Sequence, residues 1–258
     1  MRFRSLLVSL FAAAAVTVAA CHHQAAVTGV SVEQVEMNKN GGHDSVTAAM
    51  IAPYKDSLDA IMTQVVGRSA VAMPKERDKP ETLLGNFVAD VCLDRVNRVY
   101  QSSDNHGADF CLLNTGGLRS SLPQGNLTRG NIFELMPFDN EMVVVTLSGQ
   151  KTWELLRYLA ASGGQPMAGI KMGIRPDKTP GTILIKGVTF DSTRTYKVVT
   201  SDYLANGGDK MDFFRNPVKL ETTGYKIRDA ILDYLAEQQK NNKMIQPALD
   251  GRMYYETK

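Results

Sequence analysis

Apolar residues recur along this chain in two periods, and the switches between them mark out its elements. Between residues 45 and 65, Val46, Met50, Leu58, Ile61, Met62 and Val65 fall at helical spacing. They predict a helix with one buried stripe, capped by Asp44 and interrupted near Pro53. Residues 69–73 read as a short strand, and 75–80 as a charged loop. A second helix opens at Pro80-Glu81-Thr82 and runs to about Tyr100, with Leu84, Phe87, Val88, Val91 and Val96 on its apolar face. A compact apolar strand over 108–113 runs into the Gly-rich turn 114–119. A short helix over 128–136 is broken by Pro137, and a strong strand follows over 141–147. An amphipathic helix from Ser148 to Leu159 stops at Gly163-Gly164. Strands are then predicted over 169–174, 182–190 and 196–201, a tight loop over 206–209, and a last helix over 225–239. Strands and helices alternate irregularly, with no repeat of 20–50 residues. The fold class this implies is α+β, a layered mixed sheet with helices.

The N-terminal residues obey neither period. Arg2 and Arg4 precede an uncharged apolar run, Leu6 to Ala20, too short for a confident membrane span but the right length for a signal segment. The run ends Val18-Ala19-Ala20-Cys21, which resembles a bacterial lipoprotein signal, with Cys21 at the position that is lipidated; the alternative is an ordinary secretory peptide cut near Ala20, with an incidental cysteine. The expected organisation is a signal peptide at 1–20, a polar tether at 21–43 and one domain at 44–258. The expected location is the cell envelope, lipid-anchored, on the periplasmic side or the cell surface. Cys92 and Cys111 remain; they can pair in an oxidising compartment or stay as two buried thiols. The formal net charge is +2 and no basic block stands out, so no nucleic-acid partner is expected.

Three loops carry candidate chemistry. In Asn114-Thr115-Gly116-Gly117-Leu118-Arg119, glycines after a strand let backbone amides approach a ligand, and Arg119 offers a planar cationic fork for phosphate. Its alternative is a plain turn with a surface arginine. In Pro137-Phe138-Asp139-Asn140, the aromatic either plugs the core or stacks on a base at a strand mouth. In Tyr203-Leu204-Ala205-Asn206-Gly207-Gly208-Asp209, a second aromatic precedes a turn ending in a carboxylate. That carboxylate can hold ribose hydroxyls or merely cap its own turn.

In this order and spacing the three loops resemble the C-terminal, substrate-binding domain of the 5'-nucleotidases. The resemblance spans about residues 81 to 254 and takes in Leu84-Gly85-Asn86-Phe87-Val88-Ala89-Asp90. It implies phosphate-side contacts from Asn114 and Arg119 on the Gly116-Gly117 turn, and a base sandwiched by Phe138 and Tyr203. It further implies polar contacts to the base from Asn140 and the Gly163 backbone, and a ribose held by Asp209. Tyr203 stands where the family more often has Phe. The family's arginine upstream of the Leu-Gly-Asn helix falls about one position out of register with Arg77.

Family enzymes hydrolyse phosphate esters on a dinuclear metal site in another domain. The metal motifs are missing here. The chain has four histidines, His22, His23, His43 and His106, and only Gly42-His43-Asp44 faintly echoes one such motif. No nucleophile elbow and no P-loop appear. The expectation is therefore a nucleotide- or nucleoside-binding specificity domain of a 5'-nucleotidase-type hydrolase, with no catalytic residue and no metal of its own. A divalent metal pair would come from a partner metallophosphatase chain. The alternatives are a free-standing nucleoside-binding lipoprotein for uptake, and a self-contained hydrolase.

Overall fold

The computed structural model of the chain describes residues 29–34, 42, 44–100, 102 and 106–257. The signal segment, Cys21, the three N-terminal histidines and most of the tether lie outside them. The chain divides into two units, Met1–Met50 and Ile51–Lys258. In the first, residues 29–34 are exposed and without regular structure. Helix α1 (Ser45–Met62) begins in it, where the Asp44 carboxylate accepts the Val46 and Thr47 amides at 2.8 and 3.1 Å. Two expectations fail at this helix. It runs through Pro53 without a break, and none of its residues is buried. Helical spacing shows which apolar residues share a face, but not whether anything covers that face. A proline inside a helix likewise removes one amide without always ending the helix.

The second unit is built on a five-stranded sheet. Its strands are β2 (Phe110–Leu112), β4 (Glu141–Ser148), β5 (Met167–Ala168), β9 (Thr195–Ser201) and β10 (Lys219–Lys226), in the order β10-β4-β9-β2-β5. Only β2 and β9 run parallel; the other neighbours are antiparallel. Successive side chains on a strand point to opposite faces, and here both faces are covered. Met142, Val144, Val199 and Cys111 pack in one cluster with Leu84, Phe87, Val88 and Val91 of α2 (Leu83–Val99) and Ile227, Ile231 and Leu235 of α6 (Ile227–Lys240). Val143, Val145, Val198, Phe110 and Leu112 pack in a second cluster. Their partners there are Leu155, Leu156 and Leu159 of α4 (Gly149–Ser162) and Met172 and Ile183 of a second sheet. That sheet joins β6 (Ile170–Ile174), β7 (Pro180–Ile185), β8 (Val188–Thr189) and β11 (Met253–Tyr255). The predicted α+β layering is thus the architecture found.

The differences in detail have local causes. The first strand, β1 (Val65–Ser69), pairs with β3 (Gly125–Thr128), so the strand expected at 69–73 lies earlier. Met73 makes only an isolated bridge to Leu122. The strand predicted over 182–190 is a hairpin, turning at Gly187 with φ 77°. Strand β10 has no counterpart among the predicted strands; it is an edge strand carrying Lys219, Glu221, Thr222 and Thr223 and shows no apolar alternation. Cys92 and Cys111 are both buried and unpaired, and burial, then the neighbouring Cys92 thiol, pushes the Cys111 thiol up.

Candidate functional site

The sheet topology gathers the three loops at one end of the strands. Because β2 and β9 are parallel neighbours, the segments that follow them emerge side by side. Because β4 is antiparallel to β9, with Met142 opposite Ser201, the segment that precedes β4 meets them there. The segment after β2 includes a single 3-10 turn, Thr115–Gly117. The segment before β4 follows α3 (Arg129–Leu135), which Thr128 and Asn131 close with a reciprocal capping box. The segment after β9 is α5 (Asp202–Ala205), capped by the Ser201 hydroxyl, then a turn in which Gly207 and Asp209 take left-handed conformations at φ 86° and 52°.

A cavity of about 410 Å³ lies among these segments. Asn114, Gly116, Gly117 and Arg119 line it from the first, Phe138 and Asn140 from the second, and Tyr203 and Asp209 from the third. That volume is in the range of small-molecule sites. Of the nine predicted binding residues, Gly163 alone does not line this cavity. It ends α4 in a left-handed conformation, φ 76°, and borders a neighbouring cavity of about 320 Å³ with Arg77 and Gln165. Gly116 borders both cavities, and the Gln165 side-chain oxygen accepts the Thr115 amide at 2.9 Å across that wall.

Polar contacts tie the walls together. The Asn114 side-chain amide donates to Asp209 Oδ2 at 2.6 Å, and the Tyr203 hydroxyl donates to Asp209 Oδ1 at 2.9 Å. Asn140 donates to Asp202 Oδ1 at 2.8 Å, and the same oxygen accepts the Tyr203 amide. Arg119 donates to the Gly116 carbonyl at 3.2 Å, and its guanidinium lies 5.8 Å from the Phe138 ring centre. Phe138 is 47% exposed and Tyr203 49%, whereas Phe110 and Phe214 are fully buried. Neither cavity aromatic is therefore a core plug.

Residues that sequence reading missed support these groups. Arg228, at the start of α6, donates to the Met136 and Pro137 carbonyls at 3.2 and 3.3 Å and to Asp139, with Phe133 against its guanidinium. Lys226 also reaches Asp139, at 3.0 Å. These contacts fix the backbone on either side of Phe138. The hydrogen bonds of Lys226 and Arg228 hold the Asp139 carboxyl below its usual range. Lys75, whose Nζ lies 3.5 Å from the Arg119 carbonyl, is shifted down by burial and then by the charges of Arg119 and Arg77. Tyr158 donates to the Asp209 carbonyl at 3.3 Å, and burial, then Asp209, raises its hydroxyl. Some 90 residues separate Arg228 from the loop it grips, and no local pattern marks it. Asn86 of the Leu-Gly-Asn segment is structural: buried, it donates to Glu81 and to the Ala248 carbonyl.

Among the described residues, no three His, Cys, Asp or Glu side chains gather closely enough to hold a metal ion.

Fold and cavity define an α+β domain with a polar-aromatic cleft at its strand ends. A family model described as 5'-nucleotidase, C-terminal domain, matches residues 65–216, and the chain belongs to that family. The trifunctional nucleotide phosphoesterase protein YfkN of Bacillus subtilis is 27% identical over 218 residues, covering 78% of this chain and 14% of that protein. The human 5'-nucleotidase is 23% identical over 245 residues, covering 86% of this chain and 42% of that one. Among solved structures, a 5'-nucleotidase precursor from Thermus thermophilus superposes with a TM-score of 0.69 at 26% identity, over 81% of this chain and 43% of that one. The chain thus spans less than half the length of these relatives.

Proposed function

We propose that this chain binds a nucleoside or nucleotide in the 410 Å³ cavity, as the specificity domain of a 5'-nucleotidase-type hydrolase. The divalent metal pair that cleaves the phosphate ester would be carried outside these residues, on a separate metallophosphatase chain. One observation carries the reading: two half-exposed aromatics, a carboxylate and an arginine border one cavity. In the proposed pose the base lies between Phe138 and Tyr203, with Asn140 as its polar contact. Asp209 takes the ribose hydroxyls, and Arg119 with Asn114 and the Gly116-Gly117 turn takes phosphate. Gly163 borders the neighbouring cavity, which shares Gly116 with this one, and is the predicted base-edge contact that this pose leaves out. That the metal pair lies outside these residues is supported by the scarcity of histidines, four in all, and by the missing metal motifs.

The test is calorimetry with adenosine and AMP, with phosphate release assayed alongside. The purified chain should bind both ligands and, with Mn²⁺, Zn²⁺ or Mg²⁺ added, release no phosphate from AMP above background. Metal-dependent turnover by clean protein sinks the separate-chain part. Failure to bind either ligand sinks the cavity assignment.

The envelope location is a proposal of its own, supported by the Val18-Ala19-Ala20-Cys21 sequence. Cys21→Ser should move the expressed protein from the membrane fraction to the soluble one. A variant still membrane-bound and lipid-labelled would refute it.

A further inference from the structure

Stacking needs only a ring, yet Tyr203 brings a hydroxyl as well, and that hydroxyl is tied into the cavity. It donates to Asp209 Oδ1 at 2.9 Å, while the Asp209 amide points back at the phenolic oxygen from 3.3 Å. The arrangement is held from several sides. Asn114 occupies the other carboxylate oxygen at 2.6 Å, and Tyr158 holds the Asp209 carbonyl. The Tyr203 ring lies so close over Gly208 that a Cβ there would come 2.4 Å from the ring carbon Cε1. Asp209 itself sits in the left-handed region, at φ 52°.

The hydrogen-bond count follows from the chemistry of the two groups. A carboxylate is an acceptor only, with about four lone-pair sites over its two oxygens. Asn114 and Tyr203 use one each, so Oδ1 still has acceptor capacity. A phenol has a single proton, and Tyr203 spends it on Asp209. Its oxygen is left as an acceptor, engaged among the described residues only by the long contact from the Asp209 amide. Two acceptor oxygens therefore stand 2.9 Å apart at the cavity wall. Vicinal cis-hydroxyls on a five-membered ring have a similar spacing and bring two protons to donate.

We infer that the Tyr203 hydroxyl and Asp209 together read a vicinal diol, one ribose hydroxyl donating to each, which makes Tyr203 a specificity-determining residue for ribosides over deoxyribosides. The inference rests on the nucleoside reading of the cavity. It goes beyond it in giving the hydroxyl a function separate from the ring.

The test compares adenosine, 2'-deoxyadenosine and 3'-deoxyadenosine by calorimetry on the full chain and on Tyr203→Phe, which keeps the ring. The variant should bind adenosine roughly 3- to 10-fold more weakly, the usual worth of one neutral hydrogen bond. One of the two deoxynucleosides, the one lacking the hydroxyl that meets Tyr203, should show no further loss in the variant. Adenosine affinity that is unchanged or improved in Tyr203→Phe overturns the inference while leaving the cavity reading intact. Equal losses for all three ligands overturn it too, because the hydroxyl would then act through the fold. If the native chain binds no adenosine, the cavity reading and this inference fall together.

Discussion

Phe138→Ala and Tyr203→Ala should each weaken adenosine binding about 5- to 150-fold, the effect of losing about 1–3 kcal/mol of stacking on one face of a base. The melting temperature should stay close to that of the native chain. Both expectations come from the same measurement: each ring is about half exposed, at 47% and 49%. A ring so exposed has little burial to lose on truncation, whereas a fully buried one such as Phe110 or Phe214 would cost about 3–5 kcal/mol. The Phe138 site is also held independently of its ring. The backbone around Phe138 is gripped by Arg228 and, through Asp139, by Lys226. Calorimetry and thermal melts on the two variants decide the matter. A collapsed melting point, or adenosine affinity equal to that of the native chain, would show that the rings serve packing and not recognition.

Arg119→Ala should weaken AMP binding about 10- to 150-fold, the loss of a charge-assisted hydrogen bond of about 1.5–3 kcal/mol. Adenosine should lose far less, only the contact between the guanidinium and the Phe138 ring at 5.8 Å. No carboxylate among the described residues pairs with Arg119, so its removal strands no buried anion and should leave stability nearly unchanged. The neighbouring charge is of the same sign: after burial, it is the charges of Arg119 and Arg77 that shift Lys75 downward. Among the described residues Lys75, Arg77 and Arg119 form no ion pair; such a group of cations favours an anionic ligand, and AMP affinity should fall as salt is raised. The check is a pair of titrations, AMP and adenosine, on native and variant protein. Equal loss for both ligands would show that Arg119 supports the loop and does not meet phosphate.

The loops themselves were readable because their chemistry is local. A Gly-Gly turn after an apolar strand, an aromatic after a proline, and an aromatic before a second Gly-Gly turn each announce a break in a periodic element. Helix α4 was legible from end to end for the same reason: Ser148 caps it and Gly163 stops it. Elements whose signal depends on a neighbour were missed. Strand β3 has only one buried residue, Leu127, and exists because β1 pairs with it. Strand β11 is three residues long and is defined by its parallel partner β6. Helix α1 erred the other way: its periodic stripe is real, and no residue of it is buried.

For the site, the sequence by itself determined the cast: which residues can stack, accept or carry charge, and that they sit in three loops at strand ends. The tertiary structure decided that these loops meet. Residues 114 and 209 are 95 apart in the chain, yet Asn114 bonds Asp209, because parallel β2 and β9 deliver both loops to the same end of the sheet. It also decided that Gly163 lines the neighbouring cavity, and that Arg228 and Lys75 stand behind Phe138 and Arg119. Strand order and direction follow from burying both faces of one sheet at once, and that balance is a property of the whole chain which no window of it contains.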